Sequence, residues 1–181
     1  MPVVVFDACY LMPLLDPQVK GINSNPNVDY LFKTLDKEKA KIIVPTPALS
    51  EVLIGAGDAA PRYLEILSRS SRFRIAPFAE RAAVEAADAH RRARADGGDK
   101  REGSDSSWAK VKFDRQIMAI AKVESADCIY SDDDDIVRLG KKDGIPVVKL
   151  HDLPPPPQPE NDDQHTMFDA LDQAPLGPPA Q

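Results

Sequence analysis

Apolar residues along the chain follow two alternating patterns: short unbroken runs, and longer stretches with helical spacing. Val3-Val4-Val5-Phe6 is a continuous run of strand length, as expected of a strand covered on both faces. Ile42-Ile43-Val44 repeats it and stops at Pro45-Thr46-Pro47. Phe73-Arg74-Ile75-Ala76-Pro77, Cys128-Ile129-Tyr130 and Pro146-Val147-Val148-Lys149-Leu150 supply three more strands. Between them the period turns helical. Ala8 to Leu15 reads as a short helix, kinked or interrupted at Pro13. Val28, Leu31, Phe32 and Leu35 share one helical face. Thr46 as cap and Pro47 as first helical residue open a helix through Leu49, Val52 and Leu53 to Gly55. Further helices start at Pro61, with Tyr63, Leu64, Ile66 and Leu67 as their stripe, at Glu80 (alanine-rich to Ala95) and at Trp108 (to Val123). A last one runs from Asp133 to a glycine stop at Gly140. Strands alternating with helices predict an α/β fold, a three-layer α/β/α sandwich with a mostly parallel central sheet.

Three stretches break the pattern. Gly21 to Pro26 is a loop of turn formers. Asp96 to Ser107 collects glycine, serine and mixed charge with no apolar anchor, which predicts a mobile loop. Pro154 opens Pro-Pro-Pro-Pro-Gln-Pro, which favours an extended polyproline segment and cannot continue a sheet. The expected organisation is a domain over residues 1–153 and a disordered, proline-rich acidic tail over 154–181. Within that tail Met167, Phe168 and Leu171 stand at helical spacing, a short motif suited to docking on a partner or on its own domain.

Composition narrows the class. No apolar run approaches a membrane span, and the first residues lack the basic stretch of a signal peptide. Cys9 and Cys128 adjoin predicted strands and read as buried, reduced thiols; the expected compartment is the cytoplasm. The net charge of −6 belongs to the tail: Glu160, Asp162, Asp163, Asp169 and Asp172 stand there without a lysine or arginine. Without those five the chain has 24 acids against 23 bases, so the charge does not argue against a polyanionic substrate.

The candidate chemistry lies in carboxylates. Ser131 and four consecutive aspartates, Asp132 to Asp135, follow the fourth strand directly, and Asp7 follows the first. In an open α/β sheet both sets reach the carboxyl edge, where ligand crevices form. Glu51 lies one turn into the helix after the second strand. Asp114 lies early in the helix before the fourth, with Ile117, Met118 and Ala121 on its face. Glu51 is flanked by Ala48, Val52 and Leu53, so it too is expected on a buried face. Asp7, Glu51 and Asp133 have no basic partner nearby in sequence. Buried, unpaired acids converging on one crevice suggest a hard divalent cation held by oxygen. His90, His151 and His165 are too scattered to form a metal site.

These four elements together resemble the PIN-domain nucleases, with VapC-like toxin ribonucleases as the nearest relatives. The resemblance runs from about Val3 to Leu153. It is carried by Val4-Val5-Phe6-Asp7, by Pro45-Thr46-Pro47-Ala48-Leu49-Ser50-Glu51, by Phe113-Asp114-Arg115-Gln116-Ile117-Met118-Ala119-Ile120-Ala121, and by Ser131-Asp132-Asp133-Asp134-Asp135-Ile136. In the last, serine stands where threonine is commoner and isoleucine where phenylalanine is. The 96–107 loop and the proline-rich tail depart from the family core. The resemblance implies that Asp7, Glu51, Asp114 and Asp133 are catalytic metal ligands for one or two Mg²⁺ or Mn²⁺ ions, with Asp135 auxiliary and Ser131 orienting a carboxylate or phosphate. It further implies phosphodiester hydrolysis in single-stranded RNA, and candidate protein partners in an antitoxin and a second copy of the chain. Lys110, Lys112 and Arg115, with Lys100 and Arg101 of the loop, are the bases available to grip phosphates.

Other readings fit less well. A phospho-acceptor role for Asp7 lacks the second acid that receiver and dehalogenase-like folds need. A calcium loop at Asp132 would put Ile136 and Val137 where an oxygen ligand and a glycine belong. The alternative that stands is a catalytically silent module of the same fold that binds RNA or protein.

Overall fold

The computed structural model describes residues 1–16, 25–95, 98, 101 and 103–157. The predicted tail motif at Met167, with His165, lies outside them. So do Lys100 and most of the Gly21–Pro26 loop.

Among the described residues five strands form one sheet in the order β3-β2-β1-β4-β5: β1 Val3–Phe6, β2 Lys41–Pro45, β3 Phe73–Ala76, β4 Cys128–Tyr130 and β5 Val147–Val148. Every pairing among these strands is parallel, as the mostly parallel sheet expected from the sequence requires. The strand order reverses beside β1. From there the chain builds outward through β2 to β3, then returns to lay β4 on β1's other side. The gap beyond the carboxyl ends of β1 and β4 is therefore the topological switch point, where open α/β sheets bind ligands. Val4, Val5, Phe6, Ile43, Val44 and Ile129 are buried at the centre. Phe6 meets the rings of Tyr10, Phe32 and Tyr130 at centroid distances of 5.4–6.0 Å. This aromatic cluster fixes the floor beneath the switch point.

Among the described residues seven α-helices flank the sheet: α1 Ala8–Leu15, α2 Pro26–Lys37, α3 Thr46–Ala56, α4 Ala60–Arg69, α5 Glu80–Ala95, α6 Trp108–Val123 and α7 Asp134–Asp143. α6 is the hub, touching α3, α5 and α7. Its residues from Ile117 to Ala121 are all buried, and its start is capped by Ser107, which accepts from the Lys110 amide.

Four local expectations change. Helix α1 runs through Pro13 without a break; Tyr10, Leu11, Pro13 and Leu15 are all buried, and that packing offsets one lost backbone bond. Thr46 does not cap α3. Pro45 holds the cap position and Thr46 is already helical, its hydroxyl accepting instead from the Phe78 amide at 3.1 Å. Helix α7 continues past Gly140 and stops at Gly144, whose φ of 71° is the left-handed conformation glycine tolerates. Gly140 is needed for proximity: a Cβ there would lie 2.4 Å from Val147 Cγ2 and 2.7 Å from the Ile145 carbonyl oxygen. The last strand is only two residues long, because Leu150–Asp152 turns into a 3-10 helix. Cys9 and Cys128 are free and half-buried, and burial pushes the Cys9 thiol up to about 12.

Candidate metal centre

Register brings the first pair of site residues together. Phe6 is paired with Tyr130, so the residues that follow them, Asp7 and Ser131, emerge side by side at the sheet edge. The Asp7 amide continues the ladder to the Tyr130 carbonyl at 3.1 Å. Both side chains are buried. Ser131 Oγ donates to Asp7 Oδ2 at 2.7 Å and accepts from the Asp133 amide at 3.1 Å. The other Asp7 oxygen accepts from the Ala8 amide at 2.7 Å and caps α1. Burial raises the Asp7 carboxyl above its usual range, against the pull of the Ser131 and Ala8 donors.

Asp133 is the N-cap of α7, its Oδ1 accepting from the Asp135 amide at 2.8 Å. Asp114 lies in the second turn of α6 on the face turned to the sheet edge and is 5% exposed. Burial pushes it up to about 6, partly offset by Lys110 and reinforced by Asp133 and Asp135. Asp114, Asp133 and Asp135 each offer an oxygen within 4.8 Å of the others. The ammonium of Lys110 sits among them, 2.6 Å from Asp133 Oδ2, 3.1 Å from Asp114 Oδ2 and 3.4 Å from Asp135 Oδ2. Asp133, expected without a basic partner, therefore has one.

Asp135 is heavily engaged elsewhere. Its Oδ2 accepts from Ser106 Oγ at 2.6 Å and its Oδ1 from the Arg138 guanidinium at 2.9 Å. Although burial acts against ionisation, donors from Ser106, Arg138, Ser104 and Lys110 hold this carboxyl well below the usual range. The segment 103–107, part of a loop expected to be mobile for want of an apolar anchor, is thus tied to the acid cluster by two serines. Ser104 and Ser106 carried no signal in the sequence, since the contact spans 29 residues.

Asp7, Glu51, Lys110, Asp114 and Asp133 line one cavity of about 510 Å³, with Pro47, Ile54, Phe113 and Asp132 also in its wall. Glu51 does not share a buried face as expected. The buried positions of α3 are Pro47, Ala48, Leu49 and Val52, which turns Glu51 outward to the cavity mouth. Its carboxyl is raised, first by partial burial and then by the nearby Asp7 charge. Asp132 and Asp134 are engaged outside the cluster: Asp132 Oδ1 accepts from the Leu150 amide at 2.7 Å, and Asp134 pairs with Lys149.

Two of the expected phosphate grips point elsewhere. Arg115 is 5% exposed, bonded to His90 Nδ1 at 2.5 Å and stacked over Trp108 between α5 and α6. Lys112 also lies over the Trp108 ring. Neither lines the acidic cavity. Arg101, half-buried, is described by itself within a segment that is mostly outside the described residues.

The donor set fits a hard divalent cation. Every candidate ligand is a carboxylate oxygen, the preference of Mg²⁺ and Mn²⁺, and a positive group is already drawn between three of them.

Residues 5–142 match the PIN domain family. No curated protein sequence matches the chain. Among solved structures, the chain is similar to VapBC2 from Rickettsia felis bound to a DNA fragment from their promoter. That match has a TM-score of 0.57 and 12% identity, covering 81% of this chain and 98% of that one. It is also similar to DNA-bound VapBC from Salmonella typhimurium, with a TM-score of 0.51 and 14% identity over 82% and 98% of the two chains.

Proposed function

The chain belongs to the PIN domain family, and from that premise we propose that it is a divalent-metal-dependent ribonuclease that hydrolyses phosphodiester bonds of single-stranded RNA. The observation that carries this reading is the convergence of Asp7, Asp114 and Asp133, with Glu51 at the mouth, on one cavity at the sheet's switch point. Asp114 and Asp133 would hold the ion, with Asp7 held ready by Ser131 and Glu51 completing the set from the open side. Asp135, oriented by Ser106 and Arg138, acts as the auxiliary acid at the edge of the cluster and keeps α7 and the 103–107 segment in place. When bound, Mg²⁺ or Mn²⁺ supplies a water of lowered pKa and positive charge against the phosphate oxygens. Besides the carboxylates, the cavity wall offers Cys9, whose thiol is held protonated by burial, the hydroxyl of Ser50, and Lys110, whose ammonium is held by Asp114 and Asp133.

Single-stranded RNA suits the cavity wall. Ile54 and Phe113 are exposed beside the acids and give unstacked bases an apolar surface, while Lys110 offers a charge to the backbone. The VapBC complexes among the similar folds support a further role, the toxin of a pair whose partner is a protein antitoxin.

Cleavage of labelled single-stranded RNA in Mn²⁺ by wild type, Asp7→Asn and Asp114→Asn tests the reading. Cleavage by wild type that both variants lose is the expected result, and equal cleavage by all three would remove the metal site from the mechanism. One observation favours the second reading, a silent RNA- or protein-binding module: Lys110 already compensates the acids. RNA retention without cleavage by wild type would support it. Growth arrest on expression, relieved by a co-expressed small partner, tests the toxin role.

A further inference from the structure

We propose that Lys110 is a displaceable counter-ion, its ammonium holding the cation position among Asp114, Asp133 and Asp135 until a divalent ion expels it. The inference rests on the metal-dependent reading above. Three carboxylate oxygens within 4.8 Å of one another repel strongly in a partly buried site, and something positive must stand between them. Lys110 fills that need with three contacts of 2.6–3.4 Å. A Mg²⁺ or Mn²⁺ ion held by these three carboxylates would take the place of the ammonium, because a hard cation draws its oxygen ligands closer than an ammonium does. The two occupants exclude each other.

The surroundings make the lysine the mobile member. Its side chain is 41% exposed and stands in the first turn of α6, whereas the Asp114 side chain is 8% exposed one turn further on. Asp133 is fixed by its capping bond and Asp135 by Ser106 and Arg138. A four-carbon stem can swing its head toward the cavity mouth without unpacking the helix, while the acids stay in place. The lysine thus lets the fold assemble its acids before metal arrives and weakens metal binding by competition. A lysine that simply waited for phosphate would do neither.

The test uses the full chain. Calorimetric Mn²⁺ titration at neutral pH compares wild type with Lys110→Met and Lys110→Arg. Lys110→Met is expected to bind roughly tenfold tighter, the scale of removing one charge at contact distance, with Lys110→Arg close to wild type. Equal or weaker binding by a folded Lys110→Met overturns the proposal. Reductive methylation of wild type, read by mass spectrometry at Lys110, needs no variant. Labelling several times faster in saturating Mn²⁺ than in chelator is expected; unchanged protection with Mn²⁺ bound overturns displacement alone. Wild type that binds no Mn²⁺ overturns both this proposal and the metal-dependent reading beneath it.

Discussion

Ser131 Oγ donates to Asp7 Oδ2 at 2.7 Å while accepting from the Asp133 amide at 3.1 Å, so one buried hydroxyl joins the acid after β1 to the acid after β4. The Phe6–Tyr130 register makes the link possible by bringing Asp7 and Ser131 out side by side. Removing the hydroxyl leaves Asp7 buried with one fewer donor, raising its pKa and freeing its orientation. Ser131→Ala is expected to lower metal affinity or cleavage by about 10–100-fold, the usual scale for losing a partner that orients a ligand. It should also lose about 1–3 kcal/mol of stability. Ser131→Thr keeps the donor and should stay near wild type. Mn²⁺ titrations and urea melts of the pair check this; equal losses in both would point to crowding rather than to the hydrogen bond.

The four aspartates after β4 have unequal prospects. Asp133 contacts Lys110 inside the cluster, whereas the Asp134 side chain is 92% exposed and pairs with Lys149 outside it. Asparagine caps a helix as well as aspartate does, so Asp133→Asn should keep the fold while losing a charged ligand. Metal-dependent cleavage is expected to vanish in Asp133→Asn and to change little in Asp134→Asn. Circular dichroism beside the cleavage assay separates lost chemistry from lost structure.

Burial raises Asp114 to about 6 in the folded chain, and it raises Asp7 as well. A folded-state carboxyl raised above its unfolded value binds more protons than the unfolded chain does. Its contribution to stability is therefore favourable at low pH and declines as pH rises from about 4 through about 6. The metal-free protein should lose stability across that window. Mn²⁺, which takes the ionised form, should raise the melting temperature above it and have little effect near pH 5. Thermal melts in chelator and in Mn²⁺ from about pH 4 to about pH 8 test the sign; a metal shift independent of pH would detach the acids from the effect.

Much of this arrangement is legible in the chain because strand ends and acids coincide. Asp7 and Ser131–Asp133 follow apolar runs directly, so any parallel pairing of those runs brings them to one edge. The Lys110–Asp114 spacing of four on a helix is equally local. Legibility fails where contacts depend on packing. Apolar neighbours in sequence suggested a buried Glu51, yet α3 presents Pro47, Ala48, Leu49 and Val52 inward and leaves the glutamate at the rim. Lys110 reaching Asp133, and Ser106 reaching Asp135, join α6 and its preceding loop to the start of α7. No local pattern encodes those distances. Thr46 shows the same effect at smaller scale, since its hydroxyl is claimed by Phe78, 32 residues away.

Arg115 is a basic residue beside the site in sequence but not in space. Its buried guanidinium bonds His90 and covers Trp108, joining α6 to α5. Arg115→Ala should cost about 1–3 kcal/mol of stability by removing the hydrogen bond to His90 and the cover over Trp108. RNA affinity of the folded fraction should be unchanged. Filter-binding at a temperature where both proteins are folded checks the second half; a clear loss of affinity there would return Arg115 to the substrate path.

Two glycines in helices test how rigid the walls are. At Gly55 in α3, an added Cβ would meet Met12 Cε at 2.5 Å, the far end of a flexible side chain that can rotate away. At Gly140 in α7 it would meet Val147 Cγ2 at 2.4 Å and the Ile145 carbonyl oxygen at 2.7 Å, and the latter is backbone. Replacing a helical glycine by alanine gains about 1 kcal/mol in propensity when nothing obstructs it. Gly55→Ala should therefore be neutral to slightly stabilising. Gly140→Ala forces α7 away from β5 and should lose about 1–3 kcal/mol despite that gain. Because Asp133 caps α7, the same shift should weaken Mn²⁺ binding in Gly140→Ala and leave it intact in Gly55→Ala. Urea melts and Mn²⁺ titrations of the two variants decide it; equal stability would mean that the α7–β5 contact yields as easily as a methionine tip.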